Sequence, residues 1–166
     1  MKFKRIVKHL LTTQHQVTKA FPPHTLKAIE QTIKASETTH AGEIRFAVED
    51  ALDGPSLFKG QSSRERAIEL FAQLRVWDTK HNNGLLIYLL LADRAVEIVA
   101  DRGIHAPVGA IEWESICRQM ETAFKQSQYE AGVVSGIQAV TQHLARHFPS
   151  DGVKLNELPN KAVVVS

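Results

Sequence analysis

Apolar residues are most concentrated between positions 84 and 100, where two hydrophobic runs flank a short polar break. Residues 85–91 are apolar at every position, which indicates a strand buried on both faces, because a strand with one wet face alternates. Residues 92–94 predict a tight turn, and residues 95–100 predict the returning strand of a hairpin. Asn83-Gly84 precedes the first run, where it predicts a left-handed exit from the preceding helix.

An alternating pattern earlier in the chain predicts a further strand at residues 43–49. Its apolar positions, which include Phe46, share one side that we expect to be buried, while the other side is polar or covered. The segment 53–61 between this strand and the next helix is dense in Gly and Pro, and it predicts a loop.

Apolar residues at helical spacing predict four helices after the N-terminal segment. The first begins near Pro22 and Pro23, and two others open with the S-x-x-E spacing of a capping box, at Ser62–Glu65 and Ser127–Glu130. Their core-facing stripes are, in chain order, Leu26, Ile29 and Ile33; Ala67, Phe71, Leu74 and Trp77; Trp113, Ile116, Met120 and Phe124; and Val133, Ile137, Val140, Leu144 and Phe148.

The predicted order of elements is α-α-β-α-β-β-α-α. A strand, helix and strand in succession favour a right-handed parallel crossover, and a hairpin buried on both faces needs helices on each side. We therefore predict an α/β fold, a three-layer α/β/α sandwich around a small mixed sheet. We expect residues 21–149 to form this domain, residues 1–20 an N-terminal amphipathic helix, and residues 150–166 an extended tail with a short added strand at 162–165.

The N-terminal segment has a basic amphipathic pattern. Its apolar residues share one helical face and its Lys and Arg residues occupy the rest. We expect this helix to pack on the domain, and the alternative is contact with a membrane surface or a protein partner. The apolar stripe consists of Phe3, Ile6, Val7, Leu10 and Leu11.

Composition and charge narrow the function classes. A net charge of +2 over 166 residues, without a long Lys/Arg run, argues against a nucleic-acid partner. The longest apolar run is far below the roughly 20 residues of a membrane helix, and no cleavage site follows the basic N-terminus, so we expect a cytoplasmic protein. The single cysteine, Cys117, excludes an intrachain disulfide, and its place on an apolar stripe indicates a buried, inert thiol.

Polar residues gather at one end of the predicted sheet. If the first two strands are parallel, the start and the end of the hairpin meet there, so Asn83 and Asp101 should be near neighbours. Their oxygens, with Asp78, predict a Ca²⁺ or Mg²⁺ site, and the alternative is that these side chains bond loop amides. For catalysis the candidate residues are Asp78, His81, Asp101 and Arg102, with His81 and Asp101 as acid and base and Arg102 as a phosphate clamp. The opposite end should hold Glu49, Asp50, Asp93 and Arg94.

The chain resembles the TPM domain family in the segments GEIRFAVE, NNGLLIYLLLADRAVEIVADRG and YEAGVVSG, over roughly residues 29–148. The resemblance implies an α/β/α sandwich, weak acid phosphatase activity and binding of a divalent cation, usually Ca²⁺. The family includes thylakoid-lumen and bacterial proteins, many with a signal peptide and a membrane tail, so this chain looks like a short cytoplasmic branch. Asn83 and Gly84 match the family pattern, whereas residues 78–80 and 100–103 depart from its glycine-containing turns.

Two functions of different class follow from these observations. Since no nucleophile is evident and no HExxH, EF-hand, P-loop or nucleophile-elbow motif is present, we predict a divalent-cation-binding interaction module with a protein partner. The alternative, which the family resemblance implies, is a weak metal-assisted phosphatase acting on phosphate esters.

Overall fold

The structure is a computed structural model that describes residues 2–152 and 155–166. Met1, Val153 and Lys154, which fall within the predicted N-terminal helix and the predicted extended tail, lie outside the described residues. The elements in chain order are α1 Lys2–Leu11, α2 Gln14–Ala20, α3 Pro23–Ser36, β1 Glu43–Glu49, α4 Gly54–Phe58, α5 Ser63–Gln73, β2 Gly84–Leu90, β3 Ala95–Ala100, α6 Arg102–Val108, α7 Ala110–Lys125, α8 Tyr129–His147 and β4 Val163–Val165.

The described strands form one mixed sheet in the order β3-β2-β1-β4. β1 and β2 run parallel with Ile44 opposite Leu85, and β2 and β3 form an antiparallel hairpin with Leu85 opposite Ala100. β4 adds to the other edge of β1 in the parallel sense. The parallel first pair, the hairpin and the added C-terminal strand are therefore confirmed.

Helices cover both faces of this sheet. Successive side chains of a strand point to opposite faces, so Leu85 and its alternate neighbours in β2 pack against α3, α7 and α8. Leu86 and its alternate neighbours pack on the other face against α4 and α5. The predicted three-layer α/β/α sandwich is confirmed, and both β1 and β2 are buried along their whole length.

The two predicted capping boxes have different outcomes. At α5 the Ser62 hydroxyl accepts from the Glu65 amide at 3.1 Å and the Glu65 carboxylate accepts from the Ser62 amide at 2.7 Å, as predicted. At α8 the prediction is wrong. Ser127 has φ 59°, and its amide donates to the Phe124 carbonyl, so it ends α7 in a left-handed turn and α8 begins at Tyr129.

Three further local predictions are corrected. The predicted loop at residues 53–61 contains the short helix α4, which begins where the Asp53 side chain accepts from the Ser56 amide. The unpredicted helix α6 directly follows β3. Trp77 is 47% exposed rather than buried, because Arg75 has φ 55° and turns the chain so that Val76 points inward instead.

The N-terminal segment contains two helices, and the first packs on the domain mainly through its polar side. α2 sends Val17 into the core. α1 packs on the domain as expected, but through the buried His9 and the partly buried Ile6, while Phe3, Leu10 and Leu11 are exposed. Within the described ranges, no helix combines the length and the apolar character needed to cross a membrane.

Candidate functional site

Asn83 joins the starts of the two parallel strands. Its side chain is buried, and Nδ2 donates to the Ala41 carbonyl at 3.3 Å. Its backbone carbonyl accepts from the Glu43 amide, and its amide donates to the Thr79 hydroxyl at 3.1 Å. The buried Oδ1 has no hydrogen-bond partner among residues 2–152 and 155–166, so one acceptor of this side chain is unused.

Asp101 lies beside Asn83, as the hairpin predicted, because its amide donates to the carbonyl of Gly84 at 2.9 Å. It is the N-cap of α6, and its Oδ1 accepts from the Arg102 amide at 2.8 Å. Its Oδ2 is buried and finds no hydrogen-bond partner in the described part of the chain. One oxygen of Asp101 therefore has the loop-capping role of the alternative interpretation, and the other does not.

The other three predicted site residues lie on the surface of the same end of the sheet. Asp78 is exposed and pairs with Arg75, with 3.0 Å between Oδ2 and Nη2. His81 and Arg102 are exposed too, on segments that Gly103 brings together, because a Cβ there would overlap the carbonyl oxygens of His81 and Asn82. The described residues contain no group of three His, Cys, Asp or Glu side chains arranged to hold a metal. The ligand and acid–base assignments stay predictions.

Buried carboxylates at this end bind backbone amides. Glu37 accepts from the Ile44 amide at 3.1 Å, and Glu43 accepts from the Glu157 amide at 2.8 Å. Glu157 in turn accepts from the Lys80 amide at 2.8 Å. The C-terminal tail therefore lies across the amino-terminal end of β1 and beside the segment that precedes β2.

The opposite end of the sheet holds two polar clusters. In the first, Arg66 donates to both oxygens of the buried Glu49, which also accepts from the Tyr88 hydroxyl at 2.6 Å. Burial and the neighbouring Glu49 carboxylate raise the pKa of Tyr88, and the hydrogen bond to Glu49 raises the pKa of Arg66. Both partners of Glu49 thus keep their protons, and the cluster fastens α5 to the sheet.

The second cluster fastens α1. Asp93, in the β2–β3 turn, accepts from Arg5 Nη2 and from His9 Nε2, each at 2.8 Å. The other ring nitrogen of His9 accepts from the Leu52 amide at 3.0 Å, so the ring proton lies on Nε2. Burial raises the pKa of Asp93, but the hydrogen bonds from Arg5 and His9 outweigh it and hold that pKa below its usual range.

A groove of about 1030 Å³ opens beside this second cluster, at the carboxyl end of β2. Its walls are α1, α2, the start of α3, the β2–β3 turn and the start of α8. Cationic Lys8, Lys19 and Arg94 line it with His24, and Glu130 is the one carboxylate among the described lining residues. We refer to it as the basic groove.

Sequence reasoning placed Arg94 at this end of the sheet but missed the basic groove. Its cations come from three segments that no motif connects, and Lys8 and Lys19 belong to helices whose docking the pattern does not reveal. The available signal was the N-terminal sequence itself, in which the first acidic residue is Glu30.

Comparison with known proteins places the chain among described relatives. The family model of the TPM domain matches residues 16–143. The NMR structure of the BA42 protein from the psychrophilic bacterium Bizionia argentinensis is similar at 30% identity and a TM-score of 0.75, over 86% of this chain and 93% of that one. The N-terminal domain of a P. gingivalis protein shares the fold at 20% identity and a TM-score of 0.60, over 82% of this chain and 92% of that one. No curated protein matches the chain.

Proposed function

The chain belongs to the TPM domain family, and we propose that it is a binding module whose basic groove takes a small multivalent anion. The observation that carries the proposal is the placing of Lys8, Lys19 and Arg94 around a groove of about 1030 Å³. The groove lies at the carboxyl end of a parallel strand, which is the end where open α/β sheets bind their ligands.

The chemistry of these side chains favours phosphate or carboxylate groups. The planar guanidinium of Arg94 can donate two parallel hydrogen bonds to such a group, and the lysines add point charges. Arg94 has φ 50°, a conformation that non-glycine residues rarely adopt, in the turn that borders the groove. A strained residue whose side chain lines a cavity supports a binding role.

Calorimetric titration with inorganic pyrophosphate tests this function. Arg94→Gln and Lys19→Gln should each weaken binding about tenfold or more, since charge-assisted hydrogen bonds contribute roughly 1.5–3 kcal/mol. Lys34→Gln, an exposed charge change on α3, is the matched control and should bind like the wild type. No binding by the wild type at millimolar pyrophosphate, or equal binding by the two groove variants, would reject the proposal.

A second binding function, for Ca²⁺ or Mg²⁺, is favoured by the buried Oδ1 of Asn83 and Oδ2 of Asp101. Neither atom has a hydrogen-bond partner in the described ranges, and a buried acceptor without a donor is unfavourable. A hard cation satisfies oxygen ligands of this kind. Asp78 could add a second carboxylate only by leaving Arg75, so we expect weak affinity, about 10⁻⁴ to 10⁻³ M.

Titration with CaCl₂ of the wild type and of Asp101→Asn separates a cation site from loop caps. Asparagine is an equally good N-cap, so the variant keeps α6 capped while it removes the charge, and Ca²⁺ binding should be lost. If the wild type releases no heat at millimolar Ca²⁺, or the variant binds equally, these side chains serve only as loop caps.

The phosphatase alternative needs a further result. Ca²⁺- or Mg²⁺-dependent hydrolysis of a generic aryl phosphate, lost in His81→Gln and in Arg102→Gln, would support His81 as acid or base and Arg102 as the phosphate clamp. Without such turnover, the binding-module function stands alone.

A further inference from the structure

α1 presents its apolar face to solvent while its polar side holds it to the domain. His9 is buried, and together with Arg5 it bonds the Asp93 carboxylate. On the other side Phe3 is 77% exposed and Leu10 is 66% exposed. Amphipathic surface helices bury their apolar stripe as a rule, so this one is docked in reverse.

The exposed side chains form one surface rather than scattered positions. Positions 3, 7, 10 and 11 lie on the same face of a helix, and Val7 and Leu11 are exposed with the other two. A contiguous exposed apolar patch marks an interaction surface or a membrane contact. We call this surface, made of Phe3, Val7, Leu10 and Leu11, the α1 apolar face.

The positive charge around the α1 apolar face indicates which kind of partner covers it. Lys2, Lys4 and Lys8 are exposed on the same helix, and the first 29 residues of the chain carry six Lys or Arg and no Asp or Glu. A second copy of this chain would bring the same cationic rim against itself in a symmetric dimer. An anionic lipid surface, in contrast, accepts apolar side chains at the acyl boundary and lysines among its headgroups.

We propose that α1 lies in the headgroup region of an anionic membrane and holds the domain on that surface. The α1 apolar face enters the acyl boundary, Lys2 and Lys4 contact anionic headgroups, and the contacts of Arg5 and His9 with Asp93 keep the helix attached to the domain. The carboxyl end of the sheet then faces the membrane. This surface adjoins the basic groove, which Lys8 and Leu11 also line, so the variants that test the membrane role are placed at residues outside the groove.

Vesicle co-sedimentation of the full chain tests the proposal. The wild type should bind vesicles of phosphatidylcholine with phosphatidylserine, bind pure phosphatidylcholine vesicles much more weakly, and be released by about 0.5 M NaCl, since salt screens charge. Phe3→Ser combined with Leu10→Ser should lower the partition coefficient at least tenfold. Because both side chains are exposed, this variant should keep the wild-type circular dichroism and melting temperature.

Two further variants separate the contribution of the α1 apolar face from that of other exposed apolar side chains and from that of the lysines. Ile111→Ser removes an 81% exposed side chain on α7 and should leave binding unchanged. Lys2→Gln combined with Lys4→Gln should weaken binding to the anionic vesicles about fivefold for each lysine and leave pyrophosphate binding unchanged, because neither lysine lines the groove.

Three results would overturn the proposal. The first is equal binding by the wild type and the Phe3→Ser/Leu10→Ser variant. The second is equal binding to neutral and anionic vesicles, which would remove the role of charge. The third is that the wild type does not bind vesicles but forms a concentration-dependent dimer in sedimentation velocity, and that the Phe3→Ser/Leu10→Ser variant does not dimerise. A second copy would then cover the α1 apolar face.

Discussion

Truncation of Asp93 should release α1 from the domain. The carboxylate accepts from Arg5 at 2.8 to 3.2 Å and from His9 at 2.8 Å. In Asp93→Ala the buried Nε2–H of His9 loses its acceptor, which costs about 1–3 kcal/mol. Loss of the partly buried Arg5 ion pair adds about 1 kcal/mol. We therefore expect the docking free energy of α1 to fall by about 2–4 kcal/mol.

Hydrogen exchange measures this change where it occurs. A helix that opens without global unfolding exchanges its amides through a local event. The amides of α1 should exchange at least about 30-fold faster in Asp93→Ala than in the wild type, while those of β2 stay protected. Asp93→Asn keeps an acceptor for His9 without the charge and should fall between the two. Asp50→Ala, a carboxylate change at the same end of the sheet, is the control.

Two results would refute the reasoning. If the α1 amides of Asp93→Ala exchange at the wild-type rate, the polar contacts do not hold the helix. Other contacts would then hold it, such as the packing of the partly buried Ile6 on the side of the sheet that α4 and α5 cover. An equal loss of protection in α1 and β2 would mean that α1 opens only with the whole domain, so that the Asp93 contacts stabilise the entire fold.

Three other perturbations have outcomes that the structure defines. The folded-state pKa of Asp93 is depressed, so its ionised carboxylate stabilises the fold above the ordinary carboxyl pKa. This stabilisation is lost as the pH falls through the folded-state pKa. The stabilities of Asp93→Asn and of the wild type should therefore converge in melts at low pH. Burial raises the pKa of Cys117 to about 12, so a disulfide reagent at neutral pH should modify this thiol only in denaturant, and rapid labelling of the native protein would show that α7 opens. Gly84→Ala should destabilise the domain by about 1–3 kcal/mol or more, because the Cβ would overlap the Val76 carbonyl. Gly136→Ala should be milder, because the nearest atoms to its Cβ belong to the flexible Met120 side chain. Urea melts of the two variants check this, and equal losses of stability would contradict the difference between rigid backbone and flexible side chain.

The layered fold was predictable because the sequences of its strands are uninterrupted or alternating apolar runs. Burial of β2 on both faces follows from its lack of polar positions, and that in turn requires helices on two sides. Two of the errors, at Trp77 and at the expected capping box of α8, come from single residues with left-handed backbone. Arg75 and Ser127 turn the chain where helical spacing suggested continuation, and a spacing rule cannot register such a change of direction.

The candidate sites were predictable only where a local element, such as the hairpin, brings residues that are distant in sequence close together. The hairpin register fixes Asp101 beside Asn83, so their proximity needed no tertiary information. Lys8, Lys19 and Arg94 converge only through the docking of α1 and α2. Periodicity identifies the apolar face of α1, but it does not say whether that face or the opposite one meets the domain.

The pairing of β4 with β1 has a consequence for the order of folding. Val163 lies opposite Ala47, so the paired strands are separated by more than a hundred residues of chain. Contacts of such long sequence separation carry a large loop-closure entropy and form late. Until they form, the outer edge of β1 presents unpaired amides and carbonyls, which are a template for the β-strand of another chain. The three residues of β4 cover this edge only once the fold is complete, so we expect aggregation during folding to be greatest when the protein refolds at high concentration.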